Sequence, residues 1–212
     1  MKTYNFKYGH GSVSLSLNEA DILAELHGTE TPPISDIRSA LFASLEQPID
    51  SAPLRQRVRP GDRVALVISD MTRFWMRQDL VVPHLVDYLT QRCGVREDDI
   101  TIVIANGTHT GGDEAELRTL VTDAVYDRIT VENHNCDSDD LVYLGTTPHG
   151  TPVSINRTAA LADMVICLGA ATHHVMAGFG GGRKSILPGI SSRETIFHNH
   201  AFSLDAAALR SN

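Results

Sequence analysis

The sequence predicts an α/β fold with a mostly parallel sheet, helices on both of its faces and a small N-terminal β-hairpin. Two observations support this prediction. Continuous apolar runs such as Val64–Ile68 and Ile100–Ala105 alternate with amphipathic helical patterns, as is typical of parallel strands that are buried on both faces. Near the N-terminus, apolar and polar residues instead alternate one by one, which is the period of half-exposed strands.

The N-terminal hairpin is predicted from Thr3–Phe6 and Val13–Leu17, which flank a turn at residues 8–11. Two prolines at positions 32 and 33, with Asp36 after them, favour the start of a helix. The apolar stripe of that helix consists of Ile37, Leu41 and Leu45. Pro60-Gly61-Asp62 then predicts a turn that leads into the first long strand.

The rest of the chain alternates between predicted strands and helices, which indicates a Rossmann-like arrangement. The predicted strands of the sheet are Val64–Ile68, Ile100–Ala105, Arg128–Val131 and Met164–Leu168. The predicted helices are Leu80–Tyr88, Asp113–Val121, Asn156–Leu161 and a helix after His200 that carries Leu204 and Ala208. A second small hairpin is predicted from Leu141–Gly145 and Pro152–Ile155. We expect residues 1–212 to form a single domain.

Polar motifs follow three of the predicted strands. Asp70 and Arg73 come after the first strand, His109 after the second, and His173 and His174 after the last. Open α/β sheets bind ligands in the crevice outside the carboxyl ends of their strands. We therefore expect these side chains to meet in one crevice.

The segment from Thr172 to His200 concentrates residues suited to cofactor binding. Gly180–Gly182 precede Arg183 and Lys184, and glycines allow a close approach of the backbone to a ligand and positive φ angles. Lys184 is a mobile cation or nucleophile, and His200 is a good nitrogen donor for a metal. An ordinary basic loop and a P-loop are the alternatives. The P-loop motif requires glycine directly before its lysine, where this chain has Arg183.

The same segment, with A-G-F-G-G-G-R-K-S-I-L-P-G-I followed later by N-H, resembles the signature of the nickel-pincer lactate racemase family. Ser69–Arg73 is similar to the family's S-D-x-T-R, and Gly107–His109 is similar to its G-T-H. The resemblance extends from about Arg63 to His200. Each tripeptide alone is a weak signal, whereas their shared order along the chain is specific.

The resemblance implies a cofactor, the nickel-pincer nucleotide (pyridinium-3,5-bisthiocarboxylic acid mononucleotide nickel). Lys184 matches the lysine that bonds to this cofactor, and Gly181 and Gly182 match the loop that holds it. His200 matches the histidine that ligates nickel, a suitable role because imidazole is a common donor to Ni(II). Asp70 matches a supporting residue near the cofactor, although the cap of a following helix is an alternative role for it.

The resemblance also implies the reaction, which is racemisation of a lactate-like 2-hydroxyacid by reversible hydride transfer. His109 and His174 match two catalytic bases, one for each enantiomer, and neutral imidazole has a suitable pKa for that task. Arg73 matches a residue that binds the substrate carboxylate. The chain departs from the family pattern at His173 and at Phe74-Trp75, where proline is common. We expect these departures to affect the substrate more than the cofactor.

Composition excludes several other functions. A formal net charge of −8 argues against nucleic acid as a partner. Three scattered cysteines without C-x-x-C spacing indicate a reducing compartment. The chain has neither the apolar core of a signal peptide nor a run long enough to span a membrane. These features predict a cytoplasmic protein without a membrane partner.

Two other functional classes remain open. A dinucleotide-dependent oxidoreductase fits the alternation of strands and helices, but G-x-G-x-x-G is absent after Val64–Ile68. A non-catalytic binding domain on the same scaffold would have no need to keep His109, His174, Lys184 and His200 together. The resemblance further implies that the chain is the N-terminal half of a two-domain enzyme. We expect this half alone to have an open cleft and no activity.

Overall fold

The structure is a computed structural model, and it describes residues 1–29 and 31–205. The chain divides into two compact units, Met1–Ser35 and Asp36–Asn212. Its strands are β1 (Lys2–Tyr8), β2 (Gly11–Leu17), β3 (Val64–Ser69), β4 (Ile100–Ala105), β5 (Thr130–Asn133), β6 (Leu141–Thr146), β7 (Pro152–Asn156), β8 (Met164–Cys167), β9 (His173–His174) and β10 (Gly178–Phe179). Its α-helices are α1 (Ile37–Glu46), α2 (Leu54–Arg57), α3 (Val82–Gln91), α4 (Glu114–Val121), α5 (Asp123–Tyr126), α6 (Arg157–Ala160) and α7 (Arg193–Ala201).

The first unit is built around an antiparallel hairpin of β1 and β2. Its register places Tyr4 opposite Leu15 on one face and Thr3 opposite Ser16 on the other, where the two hydroxyl oxygens are 2.8 Å apart. Gly9 occupies the turn with a φ of +56°, a conformation that glycine adopts without steric cost. The predicted hairpin is confirmed, and both strands are longer than predicted.

The second unit is built around a four-stranded sheet in the order β5-β4-β3-β8. All neighbouring strands in this sheet are parallel. β3 lies in an interior position, and all six of its residues are buried. The mostly parallel α/β sheet predicted from the apolar runs is therefore confirmed. The second predicted hairpin is also present, as the antiparallel pair β6 and β7.

Helices cover both faces of the parallel sheet. On one face, alternate residues of β3 such as Leu66 and Ile68 pack in a large cluster with side chains of α3, α4 and α5. On the other face, Ala65 and Val67 pack in a smaller cluster with Ala159 of α6 and Ile190. Each large apolar side chain buried in this way stabilises the fold by about 1.5–3 kcal/mol relative to an exposed one.

Side-chain caps fix where several helices begin. Asp36 accepts a hydrogen bond from the backbone N–H of Ser39 at the start of α1, and Asp113 does the same for Glu116 at the start of α4. Such caps satisfy N–H groups that have no partner within the helix. In residues 1–29 and 31–205, no helix is long and apolar enough to cross a membrane.

In the second unit, three elements differ from the sequence prediction by more than one residue at an end. The predicted helix from Leu80 begins at Val82, because two 3₁₀ turns, Met71–Met76 and Gln78–Leu80, occupy the preceding residues. The third sheet strand begins at Thr130, because the N–H of Ile129 still bonds to the carbonyl of Val125. The helix predicted after His200 is wrong over its first residues: α7 ends at Ala201 and the 3₁₀ turn Phe202–Leu204 follows. Ala208 lies outside the described residues.

Candidate active site

A cleft of about 280 Å³ lies beyond the carboxyl ends of β3, β4 and β8. Most of the site residues predicted from the sequence line it, namely Arg73, His109, His174, Gly181, Lys184 and His200. Gly182 lines an adjoining, wider groove that shares His174, Lys184 and His200 with the cleft. Asp70 lies behind the cleft, where it contacts His109 and Arg73. The structure thus brings the predicted residues together, and their chemical roles stay predictions.

Asp70 holds the ring of His109 in place. Its side chain is only 7% exposed, and its Oδ2 lies 2.5 Å from Nδ1 of His109. Its Oδ1 accepts hydrogen bonds from Thr72 Oγ1 at 2.6 Å and from Arg73 Nη1 at 3.3 Å. An ionised carboxylate can only accept hydrogen bonds, so the proton of a neutral His109 ring lies on Nδ1. Nε2 of His109 is then an unprotonated base.

Hydrogen bonds from neighbouring segments hold the backbone around His109 in place. Asn106 is buried, and its side-chain amide donates to Asn133 Oδ1 at 3.1 Å and to the carbonyl of His134 at 3.0 Å. The following Gly107 takes a φ of +56° and donates its N–H to the carbonyl of Gly189 at 2.8 Å. The turn after β4 is therefore tied both to β5 and to the loop that carries Lys184.

Gln78 is a positioning residue that the sequence did not reveal. It is 2% exposed, its side-chain nitrogen donates to the carbonyl of Ser69 at 2.5 Å, and its side-chain oxygen accepts from the N–H of Ser69 at 3.2 Å. The pairing of β3 with β8 ends at Val67 and Cys167, so Gln78 replaces a strand partner for the last residue of β3. The backbone directly before Asp70 is fixed as a result.

His174 lies on a short hairpin formed by β9 and β10. Its Nδ1 accepts hydrogen bonds from the backbone N–H groups of Met176 at 3.2 Å and Ala177 at 3.1 Å. Loss of hydration lowers the pKa of His174, and the nearby positive charges of Lys184, Arg73 and His200 lower it further. Both effects favour the neutral ring. The neighbouring His173 points elsewhere, since its ring packs on Phe179 with centroids 5.0 Å apart.

The glycine loop has a conformation that only glycine tolerates. Gly181 has a φ of +73° and a ψ of −176°, a region essentially restricted to glycine. A Cβ at this position would also lie 2.8 Å from the carbonyl oxygen of Ala170. The loop then forms the 3₁₀ turn Gly182–Ser185, which carries Lys184 into the cleft. Burial lowers the pKa of Lys184, and the charge of Arg73 lowers it further, which favours the neutral, nucleophilic amine.

His200 is the cleft residue that the family resemblance assigns to a metal. Among the described residues, no group of three or more His, Cys, Asp or Glu side chains could hold a metal ion. His200, in the last turn of α7, nevertheless lines the cleft beside Lys184. The imidazole of His200 therefore faces the same cleft as Lys184, and imidazole is a common donor to Ni(II).

An apolar wall completes the cleft. It is formed by Trp75, Met76 and Met176, none of which was among the predicted site residues. Trp75 is 62% exposed, although tryptophan is a residue whose burial is strongly favourable. The departure from the family pattern after Arg73 was visible in the sequence, but the placement of Trp75 in the cleft needed the structure.

Comparison with known proteins identifies the family. The sequence model described as "Lactate racemase N-terminal domain" matches residues 8–211. The lactate racemase of Lactiplantibacillus plantarum is 34% identical over 159 residues, which are 74% of this chain and 37% of that protein. The lactate racemase of Thermoanaerobacterium thermosaccharolyticum is 32% identical over 158 residues, again 74% of this chain and 36% of that protein. The matches thus span little more than a third of these relatives.

Solved structures agree with the sequence comparison. The lactate racemase apoprotein of T. thermosaccharolyticum superposes with a TM-score of 0.82 at 27% identity, over 97% of this chain and 48% of that one. A protein of Thermotoga maritima superposes with a TM-score of 0.57 at 24% identity, over 76% of this chain and 39% of that one, and so shares its fold. With strands, cleft and sequence in agreement, the chain belongs to the lactate racemase N-terminal domain family.

Proposed function

We propose that the chain is the N-terminal half of a cytoplasmic isomerase that interconverts the enantiomers of a lactate-like 2-hydroxyacid. One observation supports this proposal most directly: Arg73, His109, His174 and Lys184 line one cleft, although they come from widely separated segments. The site thus offers a carboxylate-binding cation, two imidazoles and an amine within reach of one small molecule. The family match over residues 8–211 makes the same reaction the natural candidate.

The cofactor that we propose is the nickel-pincer nucleotide. Lys184 is the residue that would bond to it, Gly181 and Gly182 would allow its close approach, and His200 would supply a nitrogen to nickel. The lowered pKa of Lys184 and the position of His200 beside it in the cleft support these roles. The chemistry that this group would supply when bound is reversible acceptance of the hydride from C2 of the substrate.

The chain's own residues would bind the substrate and move its proton. Arg73 would pair with the substrate carboxylate, because a guanidinium fork matches that group in geometry and charge. Its Nη1 donates to Asp70 and Thr72, which limits the orientations of the side chain. His109 and His174 would exchange a proton with the substrate hydroxyl, one for each enantiomer. Nε2 of His109 suits this task because Asp70 keeps the ring's own proton on Nδ1.

We further propose that a second α/β domain covers the cleft in the whole protein. The matched relatives extend well beyond the region shared with this chain. Apolar side chains beside the cleft are exposed, including Trp75, Val175 and Phe179. A large exposed apolar surface usually marks an interaction site. Without the second domain we expect weak cofactor binding and no turnover.

The proposed function is tested on full-length protein co-expressed with cofactor-making enzymes. Intact mass should show an adduct that is absent from Lys184→Ala and present in Lys7→Ala, a matched control in the exposed hairpin. Elemental analysis should find nickel with the protein, and chiral chromatography should show interconversion of D- and L-lactate or a related 2-hydroxyacid. A protein that carries neither adduct nor nickel would contradict the cofactor, and loaded protein that racemises no 2-hydroxyacid would contradict the reaction.

A further inference from the structure

The apolar wall of the cleft contains the only tryptophan of the chain. Its three side chains, those of Trp75, Met76 and Met176, line the same cleft as the proposed catalytic residues. Trp75 lies two residues after Arg73, which is the proposed partner of the substrate carboxylate. A small molecule held by that guanidinium would therefore share the cleft with the indole ring.

Packing of the 3₁₀ turn Met71–Met76 explains why Trp75 lies in the cleft and not in the core. Met71 and Phe74 of this turn both pack against the large cluster on one face of the sheet. The core-facing positions of the turn are therefore taken by these two side chains. Met76 is held on the cleft side, where its sulfur accepts a hydrogen bond from the N–H of Ala170 at 3.3 Å. The fold thus fixes the turn that presents Trp75.

The wall borders the part of the cleft that the proposed cofactor leaves to the substrate. Lys184 and His200, the proposed contacts of the cofactor, line both the cleft and the adjoining groove. Among the described residues, Arg73, Trp75 and Met76 line the cleft but not the groove. Since the groove leaves room for a nucleotide attached at Lys184, the part of the cleft beside Arg73 is left for the substrate.

Only one of the groups on C2 of a 2-hydroxyacid is left for the wall. In the proposed function, the carboxylate pairs with Arg73, the hydroxyl contacts the two histidines, and the hydrogen leaves as a hydride. The remaining group is the side chain of the substrate. None of the described residues that line the cleft is acidic, so a cationic side chain would find no counter-charge. The wall therefore fits an uncharged, apolar side chain.

We propose that Trp75 determines substrate specificity and that the preferred substrate is a 2-hydroxyacid with an aromatic side chain. This inference rests on the proposed function. An indole ring favours a second aromatic ring through offset or edge-to-face contacts, and the sulfur of methionine packs favourably against aromatic rings. The methyl group of lactate would cover little of this surface. Because apolar burial scales with the area removed from water, the wall favours the larger side chain.

The preference is measured in loaded full-length enzyme as kcat/KM for the racemisation of 3-phenyllactate and of lactate. We expect the value for phenyllactate to be at least ~10-fold higher, because a single methylene in an apolar pocket is already worth roughly 10–200-fold. A ratio that does not favour phenyllactate would overturn the inference, as would a higher value for 2-hydroxysuccinate, whose side chain is a carboxylate. Loaded enzyme that racemises lactate but not phenyllactate would contradict this inference alone, whereas enzyme that racemises no 2-hydroxyacid would contradict the proposed function.

Variants of Trp75 separate a role in specificity from a role in docking the second domain. Trp75→Ala should lower the ratio of the two kcat/KM values at least ~10-fold, whereas Trp75→Phe keeps an aromatic face and should lower it less than ~3-fold. Tyr143→Ala removes a similarly exposed aromatic residue of β6 that does not line the cleft, and it should leave the ratio unchanged. If Trp75→Ala lowered both kcat/KM values in the same proportion, Trp75 would serve the interface and the inference would be wrong.

Binding is measured independently of turnover through the fluorescence of Trp75. Subtracting the spectrum of Trp75→Phe from that of the wild type isolates this emission in loaded full-length protein, and racemisation leaves the total ligand concentration unchanged. Titration with phenyllactate should change the emission saturably, with a Kd at least ~10-fold lower than that of lactate, because more apolar area is buried. Equal Kd values, or emission that phenyllactate does not alter, would contradict contact between the wall and the substrate side chain.

Discussion

At the scale of single residues, the carboxylate of Asp70 positions several side chains of the site. The sequence left two roles open for it, support of a cofactor or the cap of a helix. In the structure its side chain caps no helix and instead accepts from Thr72, Arg73 and His109. The same contacts orient a proposed substrate-binding cation and a proposed base, so a change at Asp70 should affect both.

Replacing Asp70 with asparagine should lower turnover without unfolding the protein. The amide is nearly isosteric with the carboxylate, but it holds the wrong tautomer of His109, which cost about 10⁴-fold in the serine protease triad. We therefore expect a loss of kcat of ~10²–10⁴-fold in loaded full-length enzyme. Chiral chromatography measures the rate, and Asp79→Asn is the control. A kcat within a few-fold of wild type would contradict the role of Asp70.

His134 should make the stability of the fold depend on pH. Its ring is buried and donates Nε2–H to the carbonyl of Ser191, while Nδ1 has no partner among the described residues. Burial lowers the pKa of His134 below its usual value of 6.5. Below pH 6.5, His134 therefore binds a proton more readily in the unfolded chain than in the folded chain. The free energy of unfolding should fall as pH drops through this window, by about 1.4 kcal/mol for each unit of pKa difference.

Urea unfolding between pH 7.5 and 5.0 measures this dependence. His134→Gln should flatten the fall in the free energy of unfolding, because glutamine does not titrate in this window. His198→Gln, at an exposed histidine of α7, should leave the fall unchanged. Equal slopes in wild type and His134→Gln would show that His134 is not the responsible group.

At the scale of elements, a side chain completes the hydrogen bonding at the end of β3 on the side where β8 no longer pairs with it. Gln78 satisfies both backbone groups of Ser69 in a buried position. Gln78→Ala would leave these groups without partners, at a cost of about 2 kcal/mol or more in the free energy of unfolding. Gln91→Ala, at the exposed end of α3, should change it by less than about 0.5 kcal/mol. Denaturant titration of both variants decides the comparison.

The glycine loop offers a second comparison within one element. Gly181 and Gly182 have φ angles of +73° and +50°, but only at Gly181 would a Cβ meet the carbonyl oxygen of Ala170. Both alanine variants should lower the free energy of unfolding by about 1–3 kcal/mol, because alanine is strained at positive φ. Gly181→Ala should lose further stability and displace the loop that carries Lys184. Thermal unfolding and cofactor retention measure the two effects, and equal losses in both variants would contradict the close contact.

The sequence predicted those elements that a local pattern of apolar residues specifies. The buried run Val64–Ile68 falls within one residue of β3, because a continuous apolar stretch has few alternatives in a parallel sheet. The start of α3 was not predicted correctly. Arg77 takes a positive φ of 51°, and the side chain of Gln78 forms hydrogen bonds with the backbone of Ser69. A hydrogen bond to Ser69 leaves no periodic signal in the sequence. The shared location of Arg73, His109 and His174 was predicted from strand order, whereas the hydrogen-bond partners of each histidine ring depended on loop geometry.

At the scale of the whole molecule, exposed apolar side chains border the cleft. Val175 is 88% exposed beside His174, and Phe179 and Trp75 are also exposed. If a second domain covers this side, backbone amides of residues 172–182 should exchange with deuterium at least ~10-fold more slowly in the full-length protein than in this chain alone. Amides of β1 and β2 provide an internal reference. Equal exchange in the two proteins would contradict coverage of the cleft.

The cleft is assembled from segments between Ser69 and His200, on strands that neighbour one another only after the chain has crossed the sheet several times. No shorter piece of the second unit contains it. A ligand that binds the cleft only in the folded protein therefore stabilises the entire sheet. At a concentration of 100 times its Kd, it raises the free energy of unfolding by about 2.7 kcal/mol. A melting temperature therefore reports occupancy of the cleft before any turnover is measured. Small 2-hydroxyacids and pyridinium mononucleotides can be ranked against this chain by the heat needed to unfold it.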